Sequence, residues 1–203
     1  MEKEKLNVKE KGDATIIRGS CMSDLLHAKG KYFARCFDKD GNLKWEDTID
    51  NVVTDVGANQ LLDSAFGSGP VAGPFLGLIS SVGYTGIPVT GDTMASHASG
   101  GHVWNEAGNG SNYPNWSTPA SNARASMTFS AASGRAKALT SSVSFVIATN
   151  SGTVKGCFVV FGSGAVATNN STAGVLYSAG VFSAGDKVLG IGDTLQVSYS
   201  TSV

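Results

Sequence analysis

Three kinds of hydrophobic pattern succeed one another along this chain. In KYFARCFDKDGNLKWEDTI, Leu43, Trp45 and Ile49 share one parity while Lys44, Glu46 and Thr48 share the other, with Asp47 the polar exception on the apolar side. Alternation of this kind predicts a β-strand with one wet face, and the flanking KYFARCF predicts its hairpin partner, over about residues 31–50. In TDVGANQLLDSAFGSG the period changes. Ala58, Leu61, Leu62, Ala65 and Phe66 fall at i, i+3, i+4, i+7 and i+8, which predicts a short amphipathic helix capped by Thr54 or Asp55 and ended by Gly67. FLGLIS at 75–80 and GCFVVF are continuous apolar runs, the second as expected of a strand buried on both faces.

Alternation returns late in the chain. In RASMTFSA, Ala125, Met127, Phe129 and Ala131 alternate with Arg124, Ser126, Thr128 and Ser130. SVSFVIAT alternates through Val143, Phe145 and Ile147, and DTLQVSYSTSV through Leu195, Val197 and Tyr199. Residues 83–122 have no period and are rich in Gly, Ser, Asn and Pro, so they read mostly as loop. Short strands separated by Gly/Ser turns predict an all-β, mainly antiparallel fold, a β-sandwich or jelly-roll-like barrel with one short helix. Residues 1–28 mix Lys and Glu with scattered apolar residues and carry no period. They are expected to form an extended N-terminal arm, disordered alone or ordered against a partner, preceding a sandwich domain at 29–203.

The turn residues Asp38-Lys39-Asp40-Gly41-Asn42 imitate the start of a calcium loop. Counting from Asp38, however, glycine falls at the fourth position rather than the sixth, and the twelfth is Ile49 instead of a bidentate Glu. A tight hairpin turn is the expected role, since Gly and Asn tolerate positive φ.

Composition sharpens this picture. The chain has 203 residues with 41% hydrophobic content, enough for a packed core, yet only 15% are charged and 26 are glycine. Net charge is −1, which draws it to neither nucleic acid nor an anionic membrane. Cys21, Cys36 and Cys157 are odd in number and far apart, which fits a reducing compartment better than a disulfide framework. The N-terminus lacks the apolar core of a signal peptide, and no apolar run approaches a membrane span, so a soluble protein made in the cytosol is expected. Charge is also uneven: residues 1–63 hold 22 of the 31 charged side chains and residues 64–203 hold nine. Such a segment either carries a neutral, hydroxyl-rich surface or is covered by neighbours in an assembly. Too few charges to guard strand edges would favour a closed, symmetric homo-oligomer.

Catalytic chemistry is thinly supplied. No Gly-x-Ser-x-Gly elbow, phosphate-binding loop or dinucleotide fingerprint occurs. His97 and His102 are five residues apart, which suits neither a helical face nor a strand face, and Glu106 and Asp92 are the nearest help, so no metal or other cofactor is expected. Cys36 and Cys157 sit in apolar, strand-like context and read as inert thiols. Residues 64–203 contain only Asp92, Glu106, Asp186 and Asp193 as carboxylates. The loop HVWNEAGNGSNYPNWSTP is the one surface-like feature. Trp104, Tyr113 and Trp116 are candidates for stacking on sugar rings or for protein contact, or else they fold inward and pin a long loop, which is the expected arrangement.

The run FDKDGNLKWEDTIDNVVTDVGANQLLD, with FLGLISSVGY, GDTMASH, SGTVKGCFVV and LYSAGVFSAGDKVLGIGDTLQVSYSTSV, resembles a family of small virion structural proteins of tailed bacteriophages, over about residues 31–203. GDTMASH and GDTLQVSY are its most specific parts. The resemblance implies a non-enzymatic particle component, with the virion as its location after synthesis in the bacterial cytoplasm. Its implied partner is the major capsid protein or another virion protein. A capsid decoration or cement role is the leading expectation, and a tail, collar or fibre component touching the host through the aromatic loop is the alternative. Neither nucleic acid nor membrane is an expected direct partner.

Overall fold

A computed structural model describes residues 28–67, 71–97, 104–108 and 113–203. The expectations for the arm at 1–28, for Cys21 and for His102 therefore fall outside the described residues, apart from Ala28. Among the described residues, twelve strands and one α-helix build the fold: β1 Lys29–Phe37, β2 Leu43–Asp50, β3 Val52–Val53, α1 Asp55–Phe66, β4 Ala72–Ser80, β5 Trp116–Thr118, β6 Ala125–Ser126, β7 Ala136–Ala138, β8 Val143–Ile147, β9 Gly152–Gly162, β10 Val175–Val181, β11 Lys187–Leu189 and β12 Thr194–Ser202. Two antiparallel sheets pack face to face as a sandwich. One runs β2-β1-β12-β8-β5 with β7 also on β12; the other runs β3-β10-β9-β4-β6 with β11 also on β9.

The first sheet follows its alternation. Tyr32, Ala34 and Cys36 of β1 point inward against Ile49 of β2, Leu195, Val197 and Tyr199 of β12, and Phe145 and Ile147 of β8. The opposite parity, including Lys31, Arg35, Glu46 and Asp50, meets solvent. The turn between β1 and β2 closes on itself. Asp38 accepts from the backbone N–H of Asp40 at 2.9 Å and of Asn42 at 2.8 Å, and from the Asn42 side chain at 3.0 Å, while Gly41 adopts φ 85°. Hydrogen bonding by Asn42 holds the Asp38 carboxyl below its ordinary pKa.

The second sheet is buried on both sides. Cys157, Val159 and Phe161 of β9 face the inter-sheet core, while Phe158 and Val160 face outward into a second cluster with Ile79, Met94, Trp104, Ala165 and Leu176. An all-apolar run such as GCFVVF needs a covering on each face, and here the connecting segments supply the outer one.

Two local expectations change, and one strand had no signal of its own. RASMTFSA is not one continuous strand: Ala125–Ser126 form β6 on β4, Met127 N–H bonds the Pro74 carbonyl at 3.0 Å, and Phe129 then bridges Leu139. The strand β10 has no clean sequence period; Gly156 of β9 and Gly180 of β10 lie so close that a Cβ on Gly156 would come within 1.9 Å of the Gly180 carbonyl oxygen. The helix is rotated relative to its apolar stripe. Thr54 caps it, accepting from Gly57 N–H at 3.0 Å, and Gly67 ends it in the left-handed conformation. But Gly57 is its buried residue, seated on Tyr177, and Leu61 packs on the core, while Leu62 is exposed and Phe66 is 84% exposed.

The strand edges are short or charged. Among the described residues, the long edge strand is β2, and it carries Lys44, Glu46, Asp47 and Asp50. Its Thr48 carbonyl is further covered by the Ser183 N–H at 3.2 Å. The other strands with a single partner strand, β3, β5, β6, β7 and β11, are two or three residues long. Charge and shortness are both ordinary protections against edge pairing.

Candidate functional site

The aromatic loop is drawn inward and divided. Trp116 begins β5, is 1% exposed, donates its indole N–H to the Ala123 carbonyl at 2.8 Å and meets Phe145 edge-on at 5.0 Å, inside the inter-sheet core. Trp104 is fully buried on the other side of the second sheet, 5.0 Å from Phe158. Tyr113 is half-buried. The structure therefore does not bring Trp104, Tyr113 and Trp116 together as a stacking platform; the two indoles serve separate clusters.

A polar cluster lies beside Trp104 that the sequence reading did not single out. Arg124 and Glu106 are both 0% exposed. Arg124 Nε donates to Glu106 Oε1 at 2.9 Å and Nη2 to Oε2 at 2.8 Å, a bidentate pair. The remaining guanidinium donors reach the carbonyls of Val166 at 3.2 Å and Ser171 at 2.7 Å, and the guanidinium lies 5.3 Å from the Phe158 ring centre. Glu106 also accepts from the Asn170 N–H at 2.7 Å. The segments around 106, 124 and 166–171 are thereby tied together over the outer face of the second sheet. Buried ions survive only when paired and hydrogen-bonded, and this pair is both. The available signal was scarcity: in a segment with nine charges, an Arg in a Ser/Ala-rich stretch and a Glu in an aromatic loop are unusual enough to suggest pairing.

The other carboxylates of residues 64–203 also have partners within the chain. Asp92 accepts from the Val89 N–H at 2.9 Å, Asp186 pairs with Lys155 at 2.7 Å, and Asp193 accepts from Gly190 N–H at 2.6 Å and Lys44 at 2.5 Å. Asp47, the polar exception in β2, turns inward and fastens the β10–β11 turn through the Ser183 hydroxyl at 2.5 Å, the Ala184 N–H at 3.0 Å and Lys187 at 2.9 Å. Burial opposes its ionisation, but Ser183, Lys187 and the backbone N–H donors outweigh it and hold its pKa at about 2.

Cys36 and Cys157 are buried and poor nucleophiles. Burial, then the neighbouring Asp193 carboxylate, pushes Cys36 up to about 12, and burial raises Cys157 as well. His97 ends a short 3-10 turn at Met94–His97. Among the described residues, no group of three or more His, Cys, Asp or Glu side chains is placed to hold a metal, and no helix is long and apolar enough to cross a membrane. What these polar groups do is hold turns and connecting segments against the sandwich. No protein-family model, curated protein or solved structure matches the chain.

Proposed function

We propose that this chain is a non-enzymatic structural protein of a tailed-bacteriophage virion, a decoration or cement subunit that stabilises the head by binding the major capsid protein or another virion protein. The observation that carries this reading is the engagement of the carboxylates. Asp92, Glu106, Asp186 and Asp193, all the acidic residues of the last 140, each bond to another part of the same chain. General acid–base and glycosidase chemistry needs carboxyl groups facing an open cleft, and these face inward or into ion pairs. A rigid, chemically quiet sandwich suits a particle component, and the resemblance to small virion proteins over residues 31–203 points the same way. A homo-oligomer remains part of the proposal, because closed symmetry is the usual way to cover surfaces as poor in charge as residues 64–203. Host contact through the aromatic loop is less well supported, because the tryptophans lie in the interior.

Capsids lacking the protein are expected to assemble but to rupture at lower temperature, and adding it back is expected to restore them. A protein with no affinity for such capsids, found only on the tail in a particle map, refutes the assignment.

A further inference from the structure

The wet face of the first sheet carries a polar hollow that the fold does not use. Register sets Phe33 of β1 beside Ser198 of β12 and Arg35 beside Gln196. Val197 pairs with Val143 of β8, which brings Ser142 next to Ser198. Phe33, Arg35, Ser142, Gln196 and Ser198 line a space of about 140 Å³. A cavity of ~150 Å³ accepts benzene, so this hollow is the size of one six-membered ring. Its hydrogen-bonding capacity is unspent. Among the described residues, none hydrogen-bonds the side chains of Ser142, Gln196 or Ser198. Arg35 Nε lies 3.8 Å from Glu46, beyond hydrogen-bond length, so that ion pair leaves the guanidinium donors free for a ligand. The Phe33 ring packs against the same guanidinium at 4.9 Å.

A second hollow continues from the first along the same two strands. Lys31 pairs in register with Ser200 and Lys29 with Ser202, and these four residues border a space of about 380 Å³. From Arg35 to Lys29 the strand runs ~20 Å at ~3.4 Å per residue, longer than one ring.

This lining selects its ligand by chemistry. The ligand must offer an apolar face to Phe33 and, around its edge, donors and acceptors for a planar amide, a planar guanidinium and two hydroxyls. Glu46 and Asp50 stand on the same face and repel a strongly anionic chain. A neutral hexose of gluco configuration meets these demands, because its equatorial hydroxyls point sideways and leave the ring faces as C–H. We propose that this face binds a linear, neutral glycan of gluco-configured hexoses. One ring packs on Phe33 with its hydroxyls bonded to Arg35 and Gln196, and the chain runs toward Lys29. The inference is independent of the virion assignment, and it uses the open sheet rather than the aromatic loop.

Titration of the full chain with cellotetraose, maltotetraose and chitotetraose, followed through NMR amide shifts, tests it. At least one of the three is expected to bind saturably with a Kd on the order of millimolar. Its shifts should centre on β1, β12 and the start of β8. The matching methyl glycoside fills only the first hollow and is expected to bind about tenfold more weakly. Arg35→Ala and Gln196→Ala, both on the wet face, should each weaken the tetrasaccharide about tenfold, as the loss of one hydrogen bond implies. An unchanged near-UV circular dichroism spectrum checks that both variants are folded. Failure of all three tetrasaccharides to saturate overturns the proposal. Equal affinity for the single sugar and the chain, parent-like affinity in both variants, or shifts centred on another part of the sandwich overturns it too.

Discussion

The two sheets solve the same packing problem differently. The β1/β2/β12 sheet buries one face and wets the other, so its strands alternate and its charges sit harmlessly at Lys31, Arg35, Glu46 and Asp50. The β9/β4/β10 sheet buries both faces, so its outer apolar side needs a covering made from irregular chain. Irregular chain brings backbone groups that a strand ladder would have paired, and buried polar groups must find partners. The guanidinium of Arg124 meets part of that demand through the Val166 and Ser171 carbonyls, while Glu106 takes the Asn170 N–H. A sheet with a wet face is held by apolar contacts and its ladder; a sheet with two dry faces also depends on a few polar fasteners.

The sharpest way to break that contrast is at the fastener. Arg124→Met leaves Glu106 buried without its counter-ion and is expected to lower unfolding stability by ~3–5 kcal/mol. Urea denaturation measures it. Arg124→Met combined with Glu106→Leu is expected to recover a large part of the loss, because the uncompensated charge is gone. A single-variant loss below ~1 kcal/mol would place the pair among surface ion pairs and end the argument.

Asp47, a buried carboxylate carried by the wet-faced sheet, gives a smaller effect with a pH signature. Its carboxyl ionises more readily folded than unfolded. The stabilisation is therefore complete above the ordinary value of 3.8 and fades as the pH falls toward about 2. Asp47→Asn is expected to cost ~1–3 kcal/mol at neutral pH and to flatten the acid limb of the stability profile. If melting curves of the variant and the parent keep the same slope between those pH values, Asp47 is not the group responsible.

The smallest effect belongs to the open face. Arg35 lies 3.8 Å from Glu46 and 4.9 Å from the Phe33 ring centre, with both charged side chains about half exposed. Arg35→Ala is expected to cost less than ~1 kcal/mol, and less still in high salt. A loss comparable to that of Arg124→Met would erase the distinction between the two sheets.

The wet-faced sheet was legible because alternation is a local property: a period of two in KWEDTI or TLQVSYS survives without knowing the neighbours. Even its exception, Asp47, carried information, since a lone carboxylate on the apolar parity must find partners inside. The cap residues Thr54 and Gly67 were legible for the same reason. The rotation of α1 was not, because Gly57 can approach Tyr177 where any Cβ would clash, and that close approach, rather than the Leu62–Phe66 stripe, decides which side is buried. Strand β10 was hidden by its glycine, serine and alanine, whose small size has meaning only against Gly156 and Ile49 across the interface. The sequence by itself determined a twofold period, its turns and a scarcity of charge. Only the tertiary structure decided that Arg124 and Glu106 meet and that Trp104 and Trp116 part, because pairing between segments far apart in the chain is fixed by which faces must be kept dry.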